Sequence, residues 1–288
     1  MPQTINTNLV SLNAQRNLSM SQSQLSTSMQ RLSSGLRVNS AKDDAAGLAI
    51  AERMNSQVRG MNVAMRNAND GISLAQVGEG ALGKISDVLQ RMRELSVQSA
   101  NGTNSDADRL SLNSEFVQLA QEATRTLGGT KFNGQNILAS TADSTFQIGA
   151  NATTDIDQIS VAAFNWASNT NLTNVLGATS LTGTATPATQ ITDITTAQGA
   201  IGAIDTAITA VNSQRATFGA VQNRFENVVS TLMVSSENQS AARSRIMDAD
   251  YAMETANLSR AQILQQAGNA MVAQANQLPQ QVLALLKG

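Results

Sequence analysis

The stretch that decides the fold is MNSQVRGMNVAMRNANDGISLAQVGEGALGKISDVLQRMREL, residues 54–95. Apolar side chains recur there in steps of three and four residues, the period of one face of an α-helix, at positions 54, 58, 61, 65, 68, 72, 75, 82, 85, 89, 92 and 95. Gly78 stands at the one position of this series without an apolar side chain. The stretch predicts a helix of roughly 60 Å, which needs a partner along its length.

A second segment with the same period lies toward the carboxyl end. Its apolar positions are Ile201, Ile204, Ile208, Val211, Phe218, Phe225, Val229 and Leu232. Because seven-residue spacing favours winding one helix about another, we expect these two segments to pair as an intrachain coiled coil. Helical stripes also lie near both termini, at Leu18, Leu25, Met29, Leu32 and Leu36 and at Leu264, Ala267, Met271, Leu278, Val282 and Leu285.

The region between the two long stripes contains shorter elements. The pattern predicts a helix from Ser105 to Leu127 and a tight turn at Phe132-Asn133-Gly134. Alternating apolar residues at 145–148 and 156–161 predict strands of a small hairpin. Residues 169–196 are rich in Thr, Ala, Ser and Gly, which favours a loop-like or weakly stranded connection between the long helices.

The composition is typical of an assembly component. Only 14% of the 288 residues are charged and 3% are aromatic, and small uncharged polar residues dominate instead. Helix faces of this kind repel copies of themselves weakly, so self-association is the natural inference. A net charge of −2 without a basic cluster argues against a nucleic-acid partner, and the sequence predicts neither a membrane-spanning segment nor a cleavable signal peptide.

The sequence offers little for catalysis. It contains no histidine and no cysteine, which removes the commonest general base, most zinc sites and thiol nucleophiles. The run Gly78-Glu79-Gly80-Ala81-Leu82-Gly83 matches a dinucleotide-binding pattern, but no strand precedes it and the helical stripe continues through it. We interpret its small residues as sites for close helix approach. We therefore assign no catalytic residue, no cofactor and no metal.

Five runs of residues carry a resemblance to a known family. They are Ile5-Asn6-Thr7-Asn8, RLSSGLR at 31–37, NSAKDDAAG at 39–47, RNANDGI at 66–72 and QILQQAG at 262–268. In this order they closely resemble bacterial flagellin, over about residues 1–150 and 200–288. Two other classes use similar stripes. A signalling coiled coil would carry an anchor or input domain, and a type III needle or translocator component would lack these runs.

The resemblance implies a mainly α fold. It is an elongated, hairpin-like protomer with long coiled-coil helices at both termini and small β-hairpins in its core domain. By analogy, residues 1–43 and 249–288 form an inner terminal helical domain and residues 44–248 form the core domain. Residues 170–196 then make a short connection in place of the variable outer domains of longer relatives.

The function that the resemblance implies is that of a structural subunit. It polymerises helically into the extracellular bacterial flagellar filament used for swimming, and it is exported unfolded through the flagellar type III apparatus. Expected partners are other copies of the chain, an export chaperone, and the cap and hook-junction proteins. The terminal coiled-coil residues expected to act in polymerisation are Leu25, Met29, Leu32, Leu36, Leu264, Met271, Leu278, Val282 and Leu285.

Some flagellins are detected by an innate immune receptor, Toll-like receptor five. The positions that match the detected pattern are Arg91, Leu95 and Glu115. The resemblance implies that these residues contact the receptor in the monomer and neighbouring protomers in the filament.

Overall fold

The computed structural model describes residues 7–177, 187 and 189–287, with the side chains of residue 155 and of residues 278–287 left out. The chain divides into two compact units. We call Met1–Ser56 together with Glu237–Gly288 the terminal unit, and Gln57–Ser236 the central unit.

Three helices come first along the described chain, short strands and short helices follow, and two long helices come last. The helices are α1 (Leu9–Ser34), α2 (Ala45–Ser99), α3 (Asp106–Gly129), α4 (Thr154–Asp157), α5 (Thr170–Leu176), α6 (Ile194–Met247) and α7 (Tyr251–Lys287). The strands are β1 (Lys131–Phe132), β2 (Gln135–Asn136), β3 (Ser144–Gln147) and β4 (Gln158–Val161). β1 pairs with β2 and β3 with β4, both antiparallel. The prediction of a mainly α chain with small hairpins is confirmed.

The two long helices pair in the central unit as the stripes predict. Phe225 of α6 packs on Gly71 of α2, and Phe218 packs on Gly78, so seven residues separate the contacts on both helices. Because the numbers rise on α2 as they fall on α6, the helices are antiparallel. α2 begins nine residues before Met54, where the apolar stripe starts.

One hydrophobic core fills the central unit. α2 contributes Leu82, Ile85, Leu89, Met92 and Leu95, α3 contributes Phe116 and Leu127, and α6 contributes Ile204, Val211, Phe218 and Phe225. Trp166 and the buried face of α5 close the same cluster. Each fully buried side chain of this size contributes about 1.5–3 kcal/mol, so these layers stabilise the paired helices.

The predicted turn at Asn133-Gly134 joins β1 to β2. Asn133 has φ +48° and Gly134 φ +79°, and two successive left-handed residues are the requirement of a type I′ hairpin turn. The second hairpin is shorter than predicted. Ile156 lies in α4 and is 76% exposed, because residues 154–157 form a helical turn rather than the start of β4.

The expectation for residues 169–196 is wrong at its start. Residues 170–176 form the helix α5, whose first turn is capped by the side chain of Asn169, which accepts a hydrogen bond from the backbone of Asn171. Apolar side chains on one face of α5 are buried, so packing decides the structure where composition favoured a loop. Residues 178–186 and 188 of the expected connection lie outside the described residues.

Candidate assembly surface

α1 and α7 of the terminal unit pack against each other through small side chains. The residues buried on these helices include Ser11 and Ser28 of α1 and Ala261 and Ala275 of α7. Gly268 of α7 completes the contact, since a β-carbon placed on it would lie 3.1 Å from Cδ1 of Leu18. Small residues let the two helices approach closely, and they leave many of the larger apolar side chains outside the contact.

Those larger side chains form an exposed apolar surface on both helices. They are Leu9, Val10, Leu12, Met20 and Met29 on α1 and Tyr251, Met253, Ile263, Leu264 and Met271 on α7. Between the helices lies a groove of about 580 Å³, which is lined mainly by apolar residues of both helices. Contiguous apolar patches on the surface of a protein often belong to interaction sites.

The predicted polymerisation residues fall into three groups. Leu25, Leu32 and Leu36 are half-buried. Met29, Leu264 and Met271 are exposed, Met29 by 53% and Met271 by 59%. Leu278, Val282 and Leu285 lie on the helical backbone of α7, but their side chains are outside the described part of the structure. The leucines of the first stripe are therefore partly covered within the subunit, whereas Met29, Leu264 and Met271 stay exposed.

Polar contacts at the small-residue contact were not foreseen from the sequence. Nδ2 of Asn8 donates to the carbonyl oxygen of Ala275 at 2.7 Å, and Oγ of Ser11 donates to Oδ1 of Asn276 at 2.7 Å. At the other end of the pair, Arg31 lies 3.9 Å from the buried carboxylate of Glu254. Asparagine and serine near the start of a helix are usually interpreted as helix caps. The sequence pattern therefore does not reveal their hydrogen bonds to a distant helix.

The loop after α1 packs on the junction between α6 and α7. Gly35, with φ +71°, ends α1 in the left-handed conformation, and its carbonyl accepts from the backbone of Ala249 at 2.9 Å. Arg37 donates to the carbonyl of Ile246 at 2.8 Å. Leu36, assigned to the helical stripe, pairs instead as an isolated β-bridge with Asp248, because the helix ends before it.

Two of the three predicted receptor residues, Arg91 and Glu115, belong to a charged cluster of the central unit. Arg91 of α2 donates to Glu115 of α3 through Nε at 3.1 Å and Nη2 at 3.0 Å, and to Glu94 through Nη1 at 2.9 Å. Hydrogen bonds to Glu94 and then Glu115 raise the pKa of Arg91. Arg91 and Glu115 are about half exposed, whereas Leu95 is 1% exposed in the core below them.

Among the described residues, no group of three or more His, Cys, Asp or Glu side chains is placed to hold a metal ion. No helix within the described ranges is long and apolar enough to cross a membrane.

This fold and this surface define a helical structural subunit that associates with other copies of itself. Two family models match the chain, the bacterial flagellin N-terminal helical region over residues 5–143 and the bacterial flagellin C-terminal helical region over residues 201–286. The chain belongs to the bacterial flagellin family.

Two flagellins that align over nearly their whole length agree with this assignment. The chain is 48% identical over 289 residues to the flagellin of Halalkalibacterium halodurans, and the alignment covers 98% of this chain and 99% of that protein. It is 42% identical over 312 residues to the flagellin of Bacillus subtilis, with the same coverage. The crystal structure of Bacillus cereus flagellin aligns with 35% identity and a TM-score of 0.49, covering 62% of this chain and 94% of that chain.

Family membership makes this chain a short flagellin and a structural subunit of the flagellar filament, which is a polymer of one kind of chain. It is not an enzyme. The two other classes that the stripes allowed, a signalling coiled coil and a type III needle or translocator component, are thereby set aside.

Proposed function

We propose that the exposed apolar surface of α1 and α7 is the surface through which the filament forms. The observation that carries this proposal is the small-residue contact between α1 and α7, which leaves side chains such as Met29, Leu264 and Met271 in water. A second copy that covers one such side chain gains about 1.5–3 kcal/mol if the burial is complete. Repetition of this contact along a helical array makes assembly cooperative.

The assignment of residue ranges to domains of the filament is part of the same proposal. Residues 1–43 and 249–288 act as the inner domain of the filament, residues 44–248 act as its core domain, and residues 170–196 stand in place of variable outer domains. The separation of the chain into a terminal and a central unit supports this division, although the compact units have somewhat different bounds.

Electron microscopy of the purified full chain, beside a truncated chain of residues 44–248, tests this function. With filament seeds or a kosmotropic salt, we expect long regular filaments from the full chain and none from the truncated one. Filaments from the truncated chain would show that the termini are dispensable. A full chain that stays monomeric under every condition would remove the proposal.

The finer partners and the route to the filament are also proposals. We expect the chain to leave the cell unfolded through the flagellar type III apparatus, to bind an export chaperone through its terminal helices, and to meet cap and hook-junction proteins outside. The terminal contact supports this route, because many of its buried residues are small, and a contact of small side chains unfolds at lower cost than one of large apolar side chains. A secretion assay in a strain without the flagellar export gate should leave the chain inside the cell.

We propose a second role, recognition of the monomer by Toll-like receptor five. Support comes from Arg91 and Glu115, which are joined by hydrogen bonds yet half exposed on adjacent helices. Leu95 is buried beneath Arg91, so its role is indirect: it anchors α2 in the core. In receptor-reporter cells, Arg91→Ala or Glu115→Ala should weaken the response to monomer by roughly tenfold or more, as truncation of a central contact does. No response to the unaltered monomer would overturn this role.

A further inference from the structure

Pro279 leaves one carbonyl of α7 without its usual partner. In an α-helix the N–H of each residue donates to the carbonyl four residues earlier, and proline has no N–H. α7 continues through Pro279 to Lys287. The carbonyl of Ala275 therefore lacks the intrahelical hydrogen bond that the residue at 279 would otherwise supply.

That carbonyl is the one that α1 reaches. Nδ2 of Asn8 donates to the oxygen of Ala275 at 2.7 Å. Ala275 is 3% exposed, so solvent has little access to the residue. A buried carbonyl without a donor is unfavourable, and the Asn8 amide supplies the missing bond from the other terminal helix.

Asn8 performs a second task with the other end of the same amide. Its Oδ1 accepts from the backbone N–H of Ser11 at 3.2 Å and so caps the start of α1. Serine or aspartate would cap the helix equally well, but aspartate has no donor and serine is too short to bridge to α7. The geometry thus uses both functions of an asparagine side chain at this position.

We propose that Asn8 and Pro279 form a register lock between α1 and α7. Because most residues buried in the contact between these helices are small, their register depends on a few specific contacts. Leu18 on Gly268 is one of them, and the bond from Asn8 to Ala275 is another. Pro279 is the only proline of α7. It therefore leaves one carbonyl inside the helix, that of Ala275, available to the Asn8 amide of the other helix. The lock rests on the proposed function, since it sets which apolar side chains face a neighbouring copy.

Disulfide formation in the full chain measures this register, because the chain has no cysteine of its own. A β-carbon on Gly268 would lie 3.7 Å from Cβ of Leu18, within the range of disulfides. Leu18→Cys with Gly268→Cys therefore reports the native register. Leu18→Cys with Leu264→Cys reports a slip of one turn. The ratio of the two yields after mild oxidation is the measured quantity, in filaments and in the soluble chain.

Asn8→Ser keeps the cap and removes the donor, and we expect it to lower the ratio of native to slipped disulfide roughly threefold to tenfold. In a Pro279→Ala background the same change should alter the ratio less than about twofold, because the backbone N–H at 279 then satisfies Ala275. If Asn8→Ser lowers the disulfide ratio equally with and without Pro279→Ala, or lowers it in neither background, the lock is wrong.

Ser11→Ala is the matched control. It removes the neighbouring bond from Ser11 to Asn276, which does not depend on Pro279. Its effect on the ratio should be the same with and without Pro279→Ala. If Ser11→Ala depends on the Pro279 background as strongly as Asn8→Ser does, the coupling is not specific to Asn8 and the lock is wrong.

The outcome for the lock is separable from that for the proposed function. If the unaltered chain forms no filaments, polymerisation through the termini fails, while the soluble chain still reports the coupling. If Asn8→Ser prevents assembly, the yield of filaments becomes the measured quantity in place of the disulfide ratio. The double variant with Pro279→Ala must then assemble as well as Pro279→Ala alone, and equal failure of Asn8→Ser in both backgrounds contradicts the lock.

Discussion

Phe218 of α6 lies so close to Gly78 of α2 that a β-carbon on the glycine would come within 2.9 Å of Cε2 of the phenylalanine ring. The same relationship recurs one heptad away, where a β-carbon on Gly71 would lie 2.6 Å from Cζ of Phe225. Two glycines seven residues apart thus accommodate two buried aromatic rings with the same spacing. These contacts bring the long helices of the central unit together.

Gly78→Ala should destabilise the central unit by about 1–2 kcal/mol. Overpacking a buried contact costs about 1–3 kcal/mol, and the better helix propensity of alanine offsets up to about 1 kcal/mol of this. Urea unfolding of the full chain followed by tryptophan fluorescence at Trp166 measures the change. Gly80→Ala and Gly83→Ala are controls in the same helix, because a β-carbon there meets nothing within 4 Å. Both controls should stabilise the unit, and a loss of stability in them would show that helix propensity does not dominate there.

Arg109→Met should destabilise the central unit by about 3 kcal/mol or more. The guanidinium of Arg109 is buried and donates to the carbonyls of Ser99, Asn101 and Asn104, which cap the connection between α2 and α3. Removal of the cation leaves the carbonyl oxygens of Ser99 and Asn104 without a donor, whereas the oxygen of Asn101 still accepts from the backbone N–H of Asn104 at 3.3 Å. Denaturant unfolding measures the effect.

The control for this change is Arg125→Ala. Arg125 is 69% exposed and pairs only along its own helix with Glu122, so its loss should change stability by less than about 0.5 kcal/mol. Equal stability of the Arg109→Met variant and the unaltered chain would mean that water satisfies the carbonyls of Ser99 and Asn104.

The capping box of α3 should make the central unit sensitive to acid. Hydrogen bonds from the side chain and then the backbone of Ser105 hold the pKa of Asp108 below its ordinary value of 3.8. Because the folded-state pKa is lowered, the carboxylate stabilises the fold above the unfolded value, and this contribution is lost as the pH falls through the folded value. Asp108→Asn should therefore lower the Tm at pH 7. Below pH 3.8 the Tm values of the variant and of the unaltered chain should move closer together. A constant difference in Tm across this range would contradict the assignment.

Met29→Gln and Met271→Gln should weaken assembly without unfolding the subunit. Both side chains are more than half exposed in the subunit, so their replacement removes little internal packing. If each loses about 1 kcal/mol of burial against a neighbour, the critical concentration for polymerisation rises about fivefold. Sedimentation at several protein concentrations measures it, and circular dichroism of the soluble chain checks that helix content is unchanged. An unchanged critical concentration would place these methionines outside the contact.

The long helices could be predicted from the sequence, because apolar residues that recur every three or four positions over dozens of residues fit only an α-helix. It missed the first nine residues of α2, where alanines such as Ala51 are buried without adding to an apolar stripe. The turn at Asn133 was predictable, since few residues tolerate a left-handed backbone.

The contacts between distant segments were not predictable in the same way. A buried arginine such as Arg109 resembles any surface arginine in a helical pattern. The bond from Asn8 to Ala275 joins positions 267 residues apart, and no local pattern specifies it. The stripes near the termini predicted contact residues but not which of them pair within the subunit, because the paired helices bury small residues such as Ser11 and Ala261 and leave Leu264 exposed.

A helical reconstruction of the assembled filament by electron cryo-microscopy tests the central claim most directly. We predict that α1 and α7 remain paired in the filament and that Leu264 and Met271, exposed in the subunit, are covered by a neighbouring copy. Subunits that touch one another only through residues 57–236, with Leu264 and Met271 still in solvent, would contradict it.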